Sequence, residues 1–242
     1  MTRGGRALVS TLIALPMFVV LIGLGVWQVE RLQRKLEMIA ERDAGFTQAP
    51  IELTARDADL AGLAWRRVTV TGRFDHDHEF HLWHINTDGN AGYEVLTPFV
   101  RTDSTDGQVL LVDRGWVPIA AKEATTRAAG QVQGTVTING FVRLDLEGRT
   151  AVTPQNDPAR NSWYFVDYAA MAKQAGVPLR PLVVVADASP NPGGLPIGLA
   201  RPPELTNRHL GYALTWFSLA AALAVIFGLS LRRQLAAPDP AP

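Results

Sequence analysis

Two long apolar runs lie near opposite ends of the sequence. The first, Ala7 to Val29, holds 23 residues without a charged side chain, and the second, Leu210 to Leu231, holds 22. At about 1.5 Å per helical residue, the first run extends about 34 Å, which exceeds the hydrocarbon thickness of about 30 Å. Because backbone polar groups inside a bilayer must bond within the chain, the pattern predicts transmembrane helices over residues 7–29 and 209–231.

A cleaved signal peptide is the alternative interpretation of the first run, since a short basic tail precedes it. However, the apolar part is longer than the roughly 7 to 15 residues of a signal peptide, and no A-x-A-like site follows. A charged, helix-forming stretch beginning at Val29-Glu-Arg-Leu-Gln-Arg-Lys follows instead. We therefore predict a membrane anchor that continues as a helical stalk over residues 30–49.

Between the two anchors, the pattern changes to short runs rich in β-forming residues, several of which alternate between apolar and polar positions. Runs of this type, separated by turn residues, predict strands. They begin at Arg67, Glu79, Tyr93, Gln108, Gly134 and Pro181. Short helices are predicted over residues 120–129 and 168–176, and a hairpin loop over 103–107. The expected fold of residues 50–187 is a β-rich α+β domain, a mostly antiparallel sandwich or small barrel.

The remaining segments predict how this domain is connected and oriented. Residues 188–208 are rich in Pro and Gly and predict a linker back to the membrane. The tails, residues 1–6 and 232–242, carry Arg residues, which favours cytoplasmic termini, although basic residues at 31–42 oppose this orientation. With no transit segment rich in Arg and Ser before the first span, we expect a bacterial inner-membrane protein with a periplasmic domain.

Composition excludes some classes of function. The net charge is zero and no dense basic stripe with aromatic residues occurs, so nucleic acid is not an expected partner. The absence of cysteine excludes disulfides, thiolate nucleophiles and metal sites built on cysteine.

A histidine-rich stretch runs from Asp75 to His84. If it forms one strand, His76, His78 and His84 share a face and could bind copper or zinc. The alternative is a polar turn followed by an edge strand, in which the histidines are solvated or bonded to neighbouring carboxylates. A structural metal site needs three or four converging ligands, which alternation alone does not supply, so we favour the second interpretation.

The run from Leu111 to Pro118 ends a strand with a charge pair, a glycine and a tryptophan. Arg114 and Trp116 could form a recognition surface, because Arg and Trp are common binding anchors. The structural alternative, which we favour, is that Gly115 forms a bulge and Trp116 closes the core.

The outer mouth of the second span carries His209, with Tyr212 and Trp216 on the same helical face. Trp27 and Gln28 end the first span at a similar depth, so the two groups meet if the helices pack together. An aromatic belt at the lipid headgroups is the alternative interpretation of Trp and Tyr here. The histidine favours a functional role, since an ionisable residue at this depth is costly unless it faces protein, cofactor or water.

A neutral imidazole is also a good ligand for iron. A haem between the helix mouths would find apolar walls and an axial ligand in His209. Cationic side chains for its propionates are available at Arg31, Arg34 and Arg208.

Several stretches together resemble the Surfeit locus protein 1 family of cytochrome c oxidase assembly factors, in an order that extends almost end to end. They are Trp27-Gln28 with Arg-Leu-Gln-Arg-Lys after it, Gly92-Tyr-Glu-Val-Leu-Thr-Pro, Leu111-Val-Asp-Arg-Gly-Trp-Val-Pro and Asn207-Arg-His-Leu-Gly-Tyr-Ala-Leu-Thr-Trp-Phe. The histidine-rich stretch is not part of this pattern.

The resemblance implies a non-enzymatic factor that helps to place haem a in the largest subunit of the oxidase. The histidine associated with haem in the family corresponds to His209, and the enzyme that synthesises haem a becomes a further candidate partner. The resemblance also makes other positions candidates for cofactor or partner contact: Trp27, Gln28, Arg114, Gly115, Trp116, Tyr212 and Trp216.

Three other functions remain as alternatives to haem transfer. A scaffold could stabilise the nascent oxidase subunit without binding a cofactor. An enzyme is less favoured, because the sequence has no G-x-S-x-G, H-E-x-x-H, Walker or dinucleotide-binding motif. Copper handling would need the histidines of the stretch from Asp75 to His84.

Overall fold

The computed structural model describes residues 3–53, 60–103, 108–144 and 149–236. The chain divides into two compact units. We call residues 1–40 with 204–242 the helix unit, and residues 41–203 the barrel unit.

Three α-helices occur in the described residues: α1 (Arg3–Thr47), α2 (Tyr168–Ala175) and α3 (His209–Ala236). Both predicted spans lie within α1 and α3, and α1 continues through most of the predicted stalk. These two helices are long and apolar enough to cross a membrane, and only 6% of the most apolar window of each is buried. Since a core helix of a soluble protein would be mostly buried, this exposure supports the predicted membrane protein with two spans.

The described strands form one sheet in the order β1-β2-β6-β7-β5-β4-β3. They are β1 (Ile51–Glu52), β2 (Arg67–Phe74), β3 (Phe80–Ile85), β4 (Ala91–Arg101), β5 (Val109–Pro118), β6 (Val136–Arg143) and β7 (Leu179–Ala186). An additional pairing of β2 with β4, from Gly72↔Arg101 to Phe74↔Phe99, closes the five central strands into a small barrel. Of the two predicted architectures, the barrel is therefore confirmed and the sandwich is wrong.

Most strand pairs are antiparallel, as predicted, but two are parallel. The last apolar run does complete the sheet, yet β7 enters between β6 and β5 and runs parallel to β5. The short β1 also runs parallel to β2. Strand order depends on contacts between distant parts of the chain, which the alternation of single strands does not encode.

The core has two layers, one on each face of the barrel wall. The inner layer is contributed by all five barrel strands and consists mainly of Val, Leu and Phe, including Val70, Phe99 and Val112. The outer layer includes Phe80 and Leu96 and is covered by α2 and by a segment containing the fully buried Trp163. Burial on both faces explains why parts of β4, β5 and β7 are nearly continuously apolar, whereas burial alternates along much of β2 and β6.

The predicted helix over residues 168–176 is confirmed. Asp167 caps α2 by accepting a hydrogen bond from the Ala170 N–H, and Gly176 ends it with φ 68°. By contrast, the predicted helix over residues 120–129 is wrong: two short 3₁₀ segments, Ile119–Ala121 and Ala124–Gly130, occupy this region.

The segment predicted as a linker is partly built into the barrel unit. Ile197 exchanges backbone hydrogen bonds with Trp116, and Leu199 N–H donates to the Ala186 carbonyl. This segment, although rich in Pro and Gly, thus forms local backbone hydrogen bonds with β5 and β7 without being a regular strand itself. Residues 104–107 of the predicted hairpin loop, and 237–242 of the C-terminal tail, lie outside the described residues.

Candidate functional site

The helices α1 and α3 lie in direct contact within the helix unit, as expected. At Gly25, an added side-chain carbon would lie 2.5 Å from Phe217 Cε1, so the backbone of α1 approaches the ring of Phe217 closely. The small residues Ala213 and Ala220 of α3 are 2% and 1% exposed. Small residues at such positions permit the close packing that holds membrane helices together.

A hydrogen bond joins the histidine of α3 to α1. His209 Nδ1 lies 2.8 Å from Gln28 Oε1. Because an amide oxygen only accepts hydrogen bonds, His209 Nδ1–H is the donor, and in the neutral imidazole Nε2 retains its lone pair. Metal-binding histidines are commonly oriented in this way, by donation from the other ring nitrogen. Nε2 is thus the ring nitrogen of His209 that could bind a metal, and this role stays a prediction.

The other predicted residues around His209 are more exposed. Trp27 and Tyr212 are 45% and 55% exposed, and the Arg31 guanidinium lies over the Trp27 ring at 5.4 Å. Trp216 is half-buried and Arg208 is exposed. The structure therefore brings His209 and Gln28 together, whereas the exposure of Trp27 and Tyr212 also fits the aromatic-belt interpretation. Their contact with haem stays a prediction.

The histidine-rich stretch does not form one strand, so the predicted shared face of His76, His78 and His84 is wrong. The first two lie in a 3₁₀ turn, His76–His78, and the third on β3. His78 Nδ1 lies 2.7 Å from Asp75 Oδ2, and His84 Nδ1 lies 3.5 Å from Glu94 Oε1. The stretch is therefore a polar turn followed by the edge strand β3, as in the interpretation that we favoured from the sequence. No group of three potential ligands able to hold a metal ion occurs among the described residues.

The run from Leu111 to Pro118 contains the predicted bulge. Between β4 and β5 the pairing shifts from Glu94↔Trp116 to Leu96↔Asp113, so β5 has one extra residue, and Gly115 adopts φ 116° there. Arg114 is only 2% exposed, so its side chain is unavailable to a partner in this conformation. The predicted partner contact at Arg114, Gly115 and Trp116 stays a prediction, and of the three, Trp116 is the one that remains half-exposed.

Arg114 belongs to a buried ionic cluster around Glu79 that the sequence did not reveal. Glu79 accepts hydrogen bonds from Arg114 Nη1 at 3.1 Å, Arg127 Nη2 at 2.5 Å and Gln131 Nε2 at 3.1 Å. Burial alone would raise the pKa of Glu79, but hydrogen bonds from His76 and Arg127 hold it well below its usual range. The carboxylate is therefore ionised and binds two guanidinium groups to the barrel wall.

The sequence also did not reveal that Glu94 and Asp113 lie near each other. Both interrupt apolar runs, Tyr93-Glu-Val-Leu and Leu111-Val-Asp-Arg, at positions that face the same side as core residues two places away. A charged residue at a strand position that faces a core layer was the signal that could have identified them.

Comparisons with known proteins agree with the resemblance in the sequence. The SURF1 family model matches residues 15–221. A SURF1-like protein of Monosiga brevicollis is 38% identical over 99% of this chain and 95% of its own length. Surfeit locus protein 1 of Xenopus tropicalis is 35% identical over 88% of this chain and 73% of its own length, and that of Homo sapiens is 36% identical over 85% and 72%.

Proposed function

This chain belongs to the SURF1 family, and we propose that it receives haem a at the paired mouths of its two helices and helps to place it in the largest subunit of cytochrome c oxidase. Family membership implies an assembly factor for cytochrome c oxidase. The binding and transfer of haem a, and the contact with the largest subunit, are our proposal. In this account the protein is a chaperone without enzymatic activity, and haem a is its cargo.

The hydrogen bond between His209 and Gln28 is the observation that carries this proposal. It orients the imidazole across the helix contact and holds the proton on Nδ1, which leaves the Nε2 lone pair for iron. The surrounding α3 surface is apolar, with Trp216 half-buried on the same helix. Arg208, next to His209 and exposed, supplies a cation for a propionate.

Weak coordination suits a transfer function. One imidazole supplies a single axial bond to the haem iron. A cofactor held by a single protein ligand dissociates more readily than one held by two. The oxidase subunit could then accept the haem without an energy input from this protein.

Substitution of His209 tests the proposal. The protein would be purified in detergent after co-expression with the enzymes of haem a synthesis, and its absorption spectrum recorded. His209→Ala should abolish the spectrum of ligated haem, and Gln28→Leu should reduce haem occupancy because the imidazole loses its orienting acceptor. His78→Ala, which removes an imidazole from the barrel unit, is the matched control and should leave the spectrum unchanged.

The same experiment distinguishes the scaffold alternative. An unchanged haem content and spectrum in His209→Ala would remove the ligand role. Association with the oxidase subunit that persists at full strength in cells unable to make haem a would favour a scaffold. A haem-transfer factor should instead lose its effect on subunit stability in such cells.

Orientation and location are further parts of the proposal. The Arg residues of both tails support cytoplasmic termini and a periplasmic barrel unit in a bacterial inner membrane, although the relatives reported above are eukaryotic. Alkaline phosphatase fused after Pro242 should be inactive, since this enzyme needs the periplasm to fold. An active fusion would place the C-terminus outside the cytoplasm.

A further inference from the structure

A groove of about 310 Å³ lies in the barrel unit where β4 and β5 meet the segment around Ile197. Residues 84–88 and the segment around Ile197 line it together with one residue of the stretch Gly92–Pro98 and three residues of the stretch Leu111–Pro118, neither of which has a role in the proposed haem transfer. Its lining surface is mainly apolar, and it includes three acidic residues, of which Asp88 is exposed and the other two are buried. The lining residues that carry the argument are His84, Glu94, Asp113 and Trp116.

The two buried acidic side chains of the groove are Glu94 and Asp113, 3% and 1% exposed. They lie on the same face of the sheet as the neighbouring core residues Leu96 and Leu111. Asp113 Oδ1 accepts a hydrogen bond from Gly115 N–H at 2.9 Å. Oδ2 is buried and, among the residues that the structure describes, has no hydrogen-bond partner.

The cationic groups near these acids interact with Glu94. Arg143 Nη1 lies 3.8 Å and His84 Nδ1 lies 3.5 Å from Glu94 Oε1. No cationic group within the described ranges forms an ion pair with Asp113. Burial and the neighbouring Glu94 raise the pKa of Asp113 to about 8, and burial lowers the pKa of His84. Arg143 and His84 lower the pKa of Asp113 in part through their charge, but in the described part of the chain neither forms an ion pair with it.

Trp116 forms the wall next to the two acids. A side-chain carbon added at Gly92 would lie 2.6 Å from Trp116 Nε1 and Cε2, so the indole covers Gly92 directly. The indole is half-buried, and its Nε1 has no acceptor among the described residues. An indole beside two carboxylates is a favourable environment for an organic cation, which can interact with the ring and the acids together.

We propose that this groove binds a lysine or arginine side chain of a partner polypeptide, with its cationic end at Glu94 and Asp113 and its aliphatic stem along Trp116. The apolar lining fits such a stem, and the carboxylates fit its charged end. A small inorganic cation fits less well, because Glu94, Asp113 and His84 do not form a metal-binding group. The proposal goes beyond haem transfer and concerns a different unit of the chain.

Binding of the cation would release the proton of Asp113 to solvent. The site then holds a carboxylate opposite the incoming positive charge, while Glu94, Arg143 and His84 retain their contacts. Because the cation pairs with the ionised form of Asp113, binding should strengthen as pH rises towards about 8. This pH dependence distinguishes the site from one whose acids are already ionised at neutral pH, where the affinity would not change over this range.

Fluorine NMR of the full chain in detergent tests the proposal. The six tryptophans would be labelled as 5-fluorotryptophan, and the resonance missing in Trp116→Phe assigned to Trp116. Titration with N-acetyl-arginine amide should shift this resonance in a saturable way. N-acetyl-citrulline amide, which has the same shape without the charge, should not.

Two variants identify the acids that bind the probe. Asp113→Asn replaces the neutral acid by a group of equal size and should fold, and it should weaken binding of the arginine probe roughly tenfold or more. Glu94→Gln should weaken it as well. The matched control is Asp77→Asn, which makes the same change at an exposed position outside the groove and should leave the affinity unchanged.

Several results would overturn the proposal. They are equal shifts with the citrulline probe, no saturable shift with the arginine probe, and undiminished affinity in both Asp113→Asn and Glu94→Gln. A tighter response to magnesium, calcium or zinc chloride would assign the groove to an inorganic cation instead. None of these results bears on haem, which His209→Ala tests separately.

Discussion

Replacement of Glu79, the acid of the buried ionic cluster with Arg114 and Arg127, should lower the stability of the barrel unit strongly. Glu79→Gln keeps the shape of the side chain but removes its negative charge. The guanidinium groups of Arg114 and Arg127, 2% and 1% exposed in their side chains, would then face no carboxylate. An uncompensated buried charge is far more costly than the absence of the whole cluster, because it cannot recover its hydration.

Glu79→Gln should lower the free energy of unfolding by about 3–5 kcal/mol, the typical cost of removing one partner of a buried ion pair. A typical domain has about 5–15 kcal/mol of stability, so the variant should stay folded at neutral pH with a much smaller margin. With an m value of about 2 kcal/mol/M, the urea midpoint should fall by about 2 M.

Urea unfolding of the detergent-solubilised chain, followed by near-ultraviolet circular dichroism, measures this midpoint. Glu123→Gln, at an exposed position, is the matched control and should stay within about 0.5 kcal/mol of the wild type. A loss below about 1 kcal/mol in Glu79→Gln would refute the reasoning, since it would mean that water or other groups compensate the two guanidinium charges.

The pH dependence of the same variant provides a second test. The pKa of Glu79 is lowered in the folded state, so its contribution is present above the unfolded value of about 4.3 and is lost as pH falls below it. Wild-type stability should therefore decrease on acidification by more than that of Glu79→Gln. The two stabilities should converge at acidic pH and differ most near neutrality.

Three further predictions concern particular positions. Gly25→Leu should disrupt the contact of α1 with α3, because the new side chain meets the Phe217 ring. Gly23→Leu is the control and should leave the contact intact, because its side chain points into open space. Cross-linking between cysteines engineered into α1 and α3 measures the contact. Gly115→Ala should lower the urea midpoint, since φ 116° is unfavourable for alanine and the added carbon overlaps the Ile197 carbonyl. The contribution of Asp113 to the free energy of unfolding should decrease as pH rises from about 4 towards 8, because folding raises the pKa of its carboxyl group; the urea midpoint of Asp113→Asn should therefore decrease less over this range than that of the wild type.

The membrane helices could be predicted from the sequence because hydropathy is a local property. In lipid, the backbone N–H and C=O groups of a run of 23 uncharged residues must form hydrogen bonds with one another. The helix can therefore be predicted without information from the rest of the chain. The strands of residues 50–187 were likewise recognisable from alternation. Closure of the barrel was not, because it depends on the pairing of Gly72 with Arg101, which no local pattern specifies.

The buried charges were missed for the same physical reason. Glu79 and Arg127 are 48 residues apart, and each alone resembles an ordinary surface residue. Their partnership arises only after β3 is paired in the sheet and the 3₁₀ segment Ala124–Gly130 folds over it. By contrast, the proximity of His209 to Gln28 was predictable, since two antiparallel spans of similar length place their outer ends at the same depth.

A buried polar group without a partner, such as Asp113, is stronger evidence of a binding function than the fold is. The Glu79 carboxylate is satisfied by its partners and stabilises the barrel, whereas Asp113 keeps an oxygen without a partner among the described residues and is held near a second acid. An apolar residue at this buried position of β5 would stabilise the barrel unit more, because it would avoid the desolvation of a carboxyl group. Retention of an acid at such a cost is expected where the group binds something that the isolated chain lacks. The same reasoning applies to His209, whose imidazole at the end of a membrane helix contributes less to anchoring than an apolar side chain would.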